Sequence, residues 1–249
     1  MGHNIRIFKD GTQLATAAAA RVAELANQAI ADRGAFNLAL AGGSTPEGLF
    51  RALAHPEFRD NIPWTNVRVY FGDERNVPPD HPDSNYRMAR QLLLDRVAIP
   101  AEQVFRIRGE DPPRQAAAAY AKVLRQELPA DSDGWPRFDL ILLGMGPDGH
   151  TASLFPNTEI LDSREAAVDA VYVAKLDTWR ISLTYPTINA AQHVLVLVSG
   201  EKKADVIRHV LSHTPGAAPL PIQMVRPSDP VEWFLDMDAA VHLHEEAKA

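Results

Sequence analysis

Asp148 and His150 stand two residues apart in the run GMGPDGH, residues 144–150. A carboxylate beside an imidazole is acid–base equipment. His150 has the residue type of a general base near neutral pH, and Asp148 can fix its tautomer and raise its basicity. Gly149 gives the backbone freedom for both side chains to address one ligand. The apolar stretch Phe138 to Leu143 precedes them, so the pair is expected at the end of a buried strand. The apolar residues after His150, through Phe155, are expected to begin a helix.

Three further groups carry chemistry. Gly42-Gly43-Ser44-Thr45-Pro46 offers flexible backbone amides, two hydroxyls and a helix start, with Pro46 in the first turn and Ser44 or Thr45 as the cap. Unpaired N–H groups at a helix start suit a phosphate. The run lacks the lysine of a Walker loop and the spacing of a dinucleotide fingerprint, and it also reads as a plain tight turn with a cap. Asp73-Glu74-Arg75 packs three charges at another strand end. There Arg75 can meet a substrate anion or a developing oxyanion, or the three can form a solvated turn with local ion pairs. Arg180 and Lys203 are single cations within reach of a phosphate, although by residue type alone a surface role fits each.

The elements that must position these residues follow from periodicity. Thr12 to Arg33 is Ala-rich, with Leu14, Ala18, Val22, Leu25 and Ala29 near helical spacing and Gly34 as a stop. Strands are expected at 36–41, 67–71, 138–143, 193–198 and 231–235, with two more, 171–174 and 181–184, around a tip at Asp177. Helices are expected after Thr45, over 84–97, 114–128 and 201–211. The segments 76–83, with three prolines, and 215–221 read as loops. Strands alternating with helices imply an α/β fold, a single Rossmann-like domain over residues 1–249. Its sheet should be mostly parallel with helices on both faces. Four strands end alike, in Ala41-Gly42-Gly43, Phe71-Gly72-Asp73, Leu143-Gly144-Met145-Gly146 and Val198-Ser199-Gly200. In open α/β sheets ligands bind beyond the carboxyl ends of the strands, so these turns mark one edge as the site.

Composition narrows the chemistry. The chain has 249 residues and a net charge of −7, with no basic stripe, so a nucleic-acid partner is not expected. It has no cysteine, which excludes disulfides, thiol catalysis and thiolate metal sites. His209 and His213 have a zinc-like spacing, but no neighbouring carboxylate or cysteine completes a set, and no metal is expected. No signal core or membrane-length apolar run is present, so the expected setting is cytoplasmic, without membrane contact.

The blocks AGGSTPEGLF, VYFGDERNVPPDHPDSNYRMARQLLLD, FDLILLGMGPDGHTASLFP, WRISLTYPTINAAQHVLVLVSGEKKADVI and PIQMVRP span nearly the whole chain. In order and spacing they resemble the 6-phosphogluconolactonases of the glucosamine-6-phosphate isomerase/6-phosphogluconolactonase family. The resemblance implies a deaminase- and ribose-5-phosphate-isomerase-like fold. It implies hydrolysis of 6-phospho-D-glucono-1,5-lactone, a small sugar-phosphate lactone, without a cofactor; the expected assembly is a monomer or weak homo-oligomer. By position it implies His150 as catalytic base with Asp148 beside it, and Gly43, Ser44 and Thr45 as the phosphate site, helped by Arg180 and Lys203. Asp73 and Arg75 would line the site. The related deaminases carry a glutamate five residues after the histidine, where this chain has Phe155. An apolar ring cannot shuttle protons, which counts against deamination. A non-catalytic sugar-phosphate sensor would need a DNA-binding module, and no basic helix-turn-helix segment is present.

Overall fold

The computed structural model describes residues 3–212 and 218–244. The pairing of His209 with His213, part of the loop expected at 215–221 and the two ends of the chain lie outside the described residues.

Among the described residues, nine strands form two sheets. The larger holds β1 (Asn4–Phe8), β2 (Phe36–Leu40), β3 (Val67–Phe71), β5 (Leu140–Leu143), β8 (His193–Val198) and β9 (Glu232–Asp236), in the order β1-β9-β8-β5-β2-β3. Every pairing in it is parallel. The smaller is antiparallel, β4 (Asp73–Arg75), β7 (Thr178–Leu183) and β6 (Val168–Val173), in the order β4-β7-β6. Every residue of β2, β5 and β9 is buried, as are five of the six in β8. Strands without an exposed alternate face must be covered on both sides, which explains the continuous apolar runs Leu140–Leu143 in β5 and 194–198 in β8. Fully burying each such side chain stabilises the fold by about 1.5–3 kcal/mol. The first strand was not visible in the sequence, because β1 is an edge strand with exposed residues at four of its five positions.

The helices are α1 (Gly11–Arg33), α2 (Ser44–Leu53), α3 (Pro56–Arg59), α4 (Asn85–Leu92), α5 (Pro113–Glu127), α6 (Tyr185–Asn189) and α7 (Ala204–Leu211). Asp10 caps α1 by accepting from the Gln13 amide at 2.9 Å, and Gly34 ends it in the left-handed region at φ 80°. Both ends of α1 therefore follow local chemistry. The helix expected over 84–97 is shorter. Ser84 caps α4, and Leu93 leaves the helical region at φ −133°, so that Leu93 and Leu94 both turn into the core. The helix expected at 201–211 opens with a 3-10 turn, Glu201–Lys203. No helix among the described residues is long and apolar enough to cross a membrane.

Two features place the site. The chain passes from β2 outward to β3, then returns to lay β5 on the other side of β2. The topological switch point therefore falls between the ends of β2 and β5. At the end of β3 the Tyr120 hydroxyl of α5 accepts from the Phe71 amide at 2.8 Å and donates to the Phe71 carbonyl. That hydroxyl satisfies the last backbone groups of the edge strand, and the chain crosses at Gly72 into the small sheet.

Candidate active site

The turns after β2, β3, β5 and β8 surround one cavity of about 230 Å³. Gly43, Ser44, Thr45, Asp73, Arg75, His150 and Lys203 all line it. Asp148 and Arg180 do not: Asp148 lies beside His150, and Arg180 lies opposite Arg75 across the β4–β7 pair.

The wall after β2 is the N-terminus of α2. The cap is Gly43, not Ser44 or Thr45 as expected; its φ of 99° is open to glycine at little cost, and no side chain caps the helix. The amides of the first turn therefore remain free to meet an anion, and Pro46 has none to offer. Gly42 permits a second close approach. A Cβ there would fall 2.1 Å from Asn85 Oδ1, so the Asn85 side chain rests directly on the Gly42 backbone.

Asn85 belongs to a buried polar network that fixes Asp73. Its Nδ2 donates to the Asp73 carbonyl at 3.0 Å and to Asp73 Oδ1 at 3.1 Å, while Ser153 Oγ donates to Asp73 Oδ2 at 2.6 Å. Neighbouring Glu74 is buried and accepts from Ser84 Oγ and from the amides of Arg75, Asn85 and Tyr86. Burial pushes its carboxyl above the ordinary range, and those bonds oppose the shift. The segment read as a possible solvated turn is thus a buried strand tied to the start of α4. Arg75 donates from Nη1 to the Asp83 carbonyl at 2.6 Å, and Arg180 donates to Thr178 Oγ1 at 3.1 Å. Burial and the charge of Arg75 both lower the pKa of Arg180.

The wall after β5 carries His150. His150 Nδ1 lies 2.5 Å from Asp148 Oδ1. Its ring stacks on Phe155 with centroids 4.0 Å apart and planes at 28°. Gly146 supplies the space, since a Cβ on it would lie 2.0 Å from His150 Nδ1. Burial lowers the His150 pKa below its usual 6.5, and the bond to Asp148 only partly offsets this. Burial raises Asp148, but bonds from Lys175 and His150 outweigh it and hold the carboxyl at about 2. The pair is therefore a carboxylate and a neutral imidazole near pH 7. The proton sits on Nδ1, and Nε2 keeps the lone pair. The residues after His150 do not form the expected helix. Ala152 has φ 46°, Thr151 Oγ1 donates to the Gly144 carbonyl at 2.8 Å, and Thr151 pairs with Leu154. A left-handed alanine breaks helical propagation and stores strain of order 1–3 kcal/mol at the cavity wall.

The wall after β8 carries Lys203. Asp236 at the end of β9 accepts from Ser199 Oγ and from the amides of Gly200 and Ala239. These bonds hold Gly200 at φ 96° and fix the turn leading to Lys203. Burial lowers the Lys203 pKa, and Asp148 opposes the shift. Among the described residues no three His, Asp or Glu side chains gather as a metal would require. Sequence reasoning missed Asn85, Ser153 and Lys175, whose partners lie twelve or more positions away in the chain.

Residues 9–233 match the family described as glucosamine-6-phosphate isomerases/6-phosphogluconolactonase. The chain is 38% identical to the 6-phosphogluconolactonase of a Nostoc species, over 98% of this chain and 99% of that protein. It is 44% identical to that of Treponema pallidum over 74% and 75% of the two chains. Among solved structures, the 6-phosphogluconolactonase of Trypanosoma brucei superposes with a TM-score of 0.85 at 31% identity, over 97% of this chain and 99% of that one.

Proposed function

Because the chain belongs to the glucosamine-6-phosphate isomerase/6-phosphogluconolactonase family, and is a lactone hydrolase within it, we propose that it hydrolyses 6-phospho-D-glucono-1,5-lactone to 6-phospho-D-gluconate with His150 as general base. This is the second step of the oxidative pentose phosphate pathway, and the proposal takes residues 1–249 as one domain devoted to it. The observation that carries the reading is that two walls of one cavity bring complementary groups together. An uncapped helix start at Ser44 and Thr45 shares one cavity with an imidazole whose Nδ1 is committed to Asp148.

In this reading the free amides of α2 and the ammonium of Lys203 hold the 6-phosphate, with Arg75 and Arg180 adding positive potential. The lactone carbonyl then lies near His150 Nε2. A water gives its proton to Nε2 as its oxygen bonds to C1, and the carbonyl electrons move onto the oxyanion. Arg75, which lines the cavity, offsets that charge, since the Gly149 and His150 amides already bond the Gly146 carbonyl and Asp148 Oδ1. Collapse breaks the bond from C1 to the ring oxygen, which takes the proton back from His150. The product acid then ionises in solution. Phe155, stacked on the base, leaves no carboxylate there for the proton transfers of a deaminase.

The test is His150→Ala in a folded variant. Loss of a general base should cost about 10²–10⁴-fold in kcat. Turnover near that of the wild type would refute the role. Unphosphorylated gluconolactone should be a much poorer substrate, and equal rates on both lactones would refute the phosphate anchor.

A further inference from the structure

The loop that carries His150 is held from a second element. Lys175 sits in the 3-10 turn Ala174–Leu176 at the tip of the β6–β7 hairpin, which Asp177 closes in the left-handed region at φ 48°. Lys175 Nζ bonds Asp148 Oδ2, the oxygen that His150 does not use. The same Nζ lies 4.7 Å from the ring centroid of Phe155, and Phe155 is the ring on which His150 stacks. Four side chains thus close a circuit: His150 to Asp148, Asp148 to Lys175, Lys175 to Phe155, and Phe155 back to His150. Three of them belong to one short segment, and Lys175 alone comes from elsewhere. A lone exposed ion pair contributes little, but this one joins a cation–aromatic contact on the same nitrogen.

Resting on the lactonase reading, we propose that Lys175 is a positioning residue for the reaction: from the tip of the β6–β7 hairpin it clamps Asp148 and Phe155, so that His150 keeps one orientation with Nδ1 bound and Nε2 free. Lys175 does not line the cavity, so it acts through those two side chains and not on substrate. The charges acting on His150 are Asp148 from its own turn, Asp73 from β4 and Lys175 from the hairpin. Lys203, at the start of α7, acts on Asp148. Removing the Lys175 cation removes a repulsion and leaves Asp148 paired with the imidazole alone. Both changes favour the imidazolium.

The test compares wild type, Lys175→Met, Lys175→Arg and His150→Ala across pH, with NMR titration of the His150 ring where it is present. Lys175→Met should lower kcat about 10-fold at neutral pH with little change in KM. It should also raise the acid-limb midpoint and the NMR midpoint by about 0.5–1 pH unit. Lys175→Arg should restore both. Wild-type kcat with unmoved midpoints in Lys175→Met would overturn the clamp. So would equal losses in both variants with unmoved midpoints, the mark of a merely structural role. If Lys175→Met does not fold, Lys175→Gln is read against the same outcomes. Full turnover in His150→Ala would defeat the lactonase mechanism itself, while the NMR titration would still decide whether Lys175 holds Asp148.

Discussion

Gly146→Ala separates catalysis from folding at one atom. Gly146 does not lie at positive φ, so alanine suits its backbone. The added Cβ would sit 2.0 Å from His150 Nδ1, 2.1 Å from Cε1 and 2.8 Å from Asp148 Oδ1. Non-bonded carbons settle at about 3.5–4.0 Å, so the imidazole must retreat by more than about 1 Å. The ring belongs to a partly exposed loop side chain, and its retreat costs the fold little. The melting temperature should fall by less than about 4 °C, the shift that about 1 kcal/mol produces in a chain of this size. Catalysis is less forgiving, because a displacement of about 1 Å at a reacting group costs on the order of 10²-fold. That loss adds about 2.7 kcal/mol to the barrier. KM should change little, since the anion cradle lies on other turns. The assay follows proton release from 6-phosphogluconolactone in weak buffer, with spontaneous ring opening subtracted. A folded Gly146→Ala enzyme with wild-type kcat would refute the argument that the base is held where the geometry puts it.

Asp148→Asn should lower kcat by about 10²–10⁴-fold while leaving KM nearly unchanged, because an amide can donate to Nδ1 and move the proton to Nε2, which steady-state kinetics will show. Lys203→Met should raise KM at least about 10-fold for the phosphorylated lactone, the loss of one charged hydrogen bond. The same variant should leave the rate on unphosphorylated gluconolactone unchanged. The acid limb of kcat/KM should have its midpoint below 6.5, because burial holds His150 neutral to lower pH than a free histidine. By the same sign, the folded state binds fewer protons at His150 than the unfolded chain as pH falls below 6.5. His150 therefore erodes stability in that window, measurable as a falling melting temperature.

The sequence was informative wherever the deciding chemistry is local. The strand ends at Gly42, Gly72, Gly144 and Gly200 were readable because an apolar run followed by glycine has one natural meaning in an α/β chain. The same edge then assembled Ser44, Asp73, His150 and Lys203 around one cavity. Local signals failed in two ways. Residues 151–155 look helical by apolarity, but the Thr151 hydroxyl and the left-handed Ala152 turn the chain back on itself. The cap expected at Ser44 or Thr45 is Gly43, because the turn before the helix takes φ 99°, which glycine adopts at little cost. Long-range partners were invisible. Asn85 reaches Asp73 only when α4 folds back on β4, and Ser153 reaches Asp73 and Lys175 reaches Asp148 only once the two sheets have docked. The pairing of Arg180 with Arg75 depends on the register of β4 against β7, which no spacing encodes.

The most direct measurement is a crystal structure of the protein with 6-phosphogluconate bound. The phosphate should lie on the amides of Ser44 and Thr45 with Lys203 beside it, and the carboxylate within hydrogen-bond reach of His150 Nε2. A phosphate seated on the His150 turn, or a ligand bound in a different cavity, would contradict it.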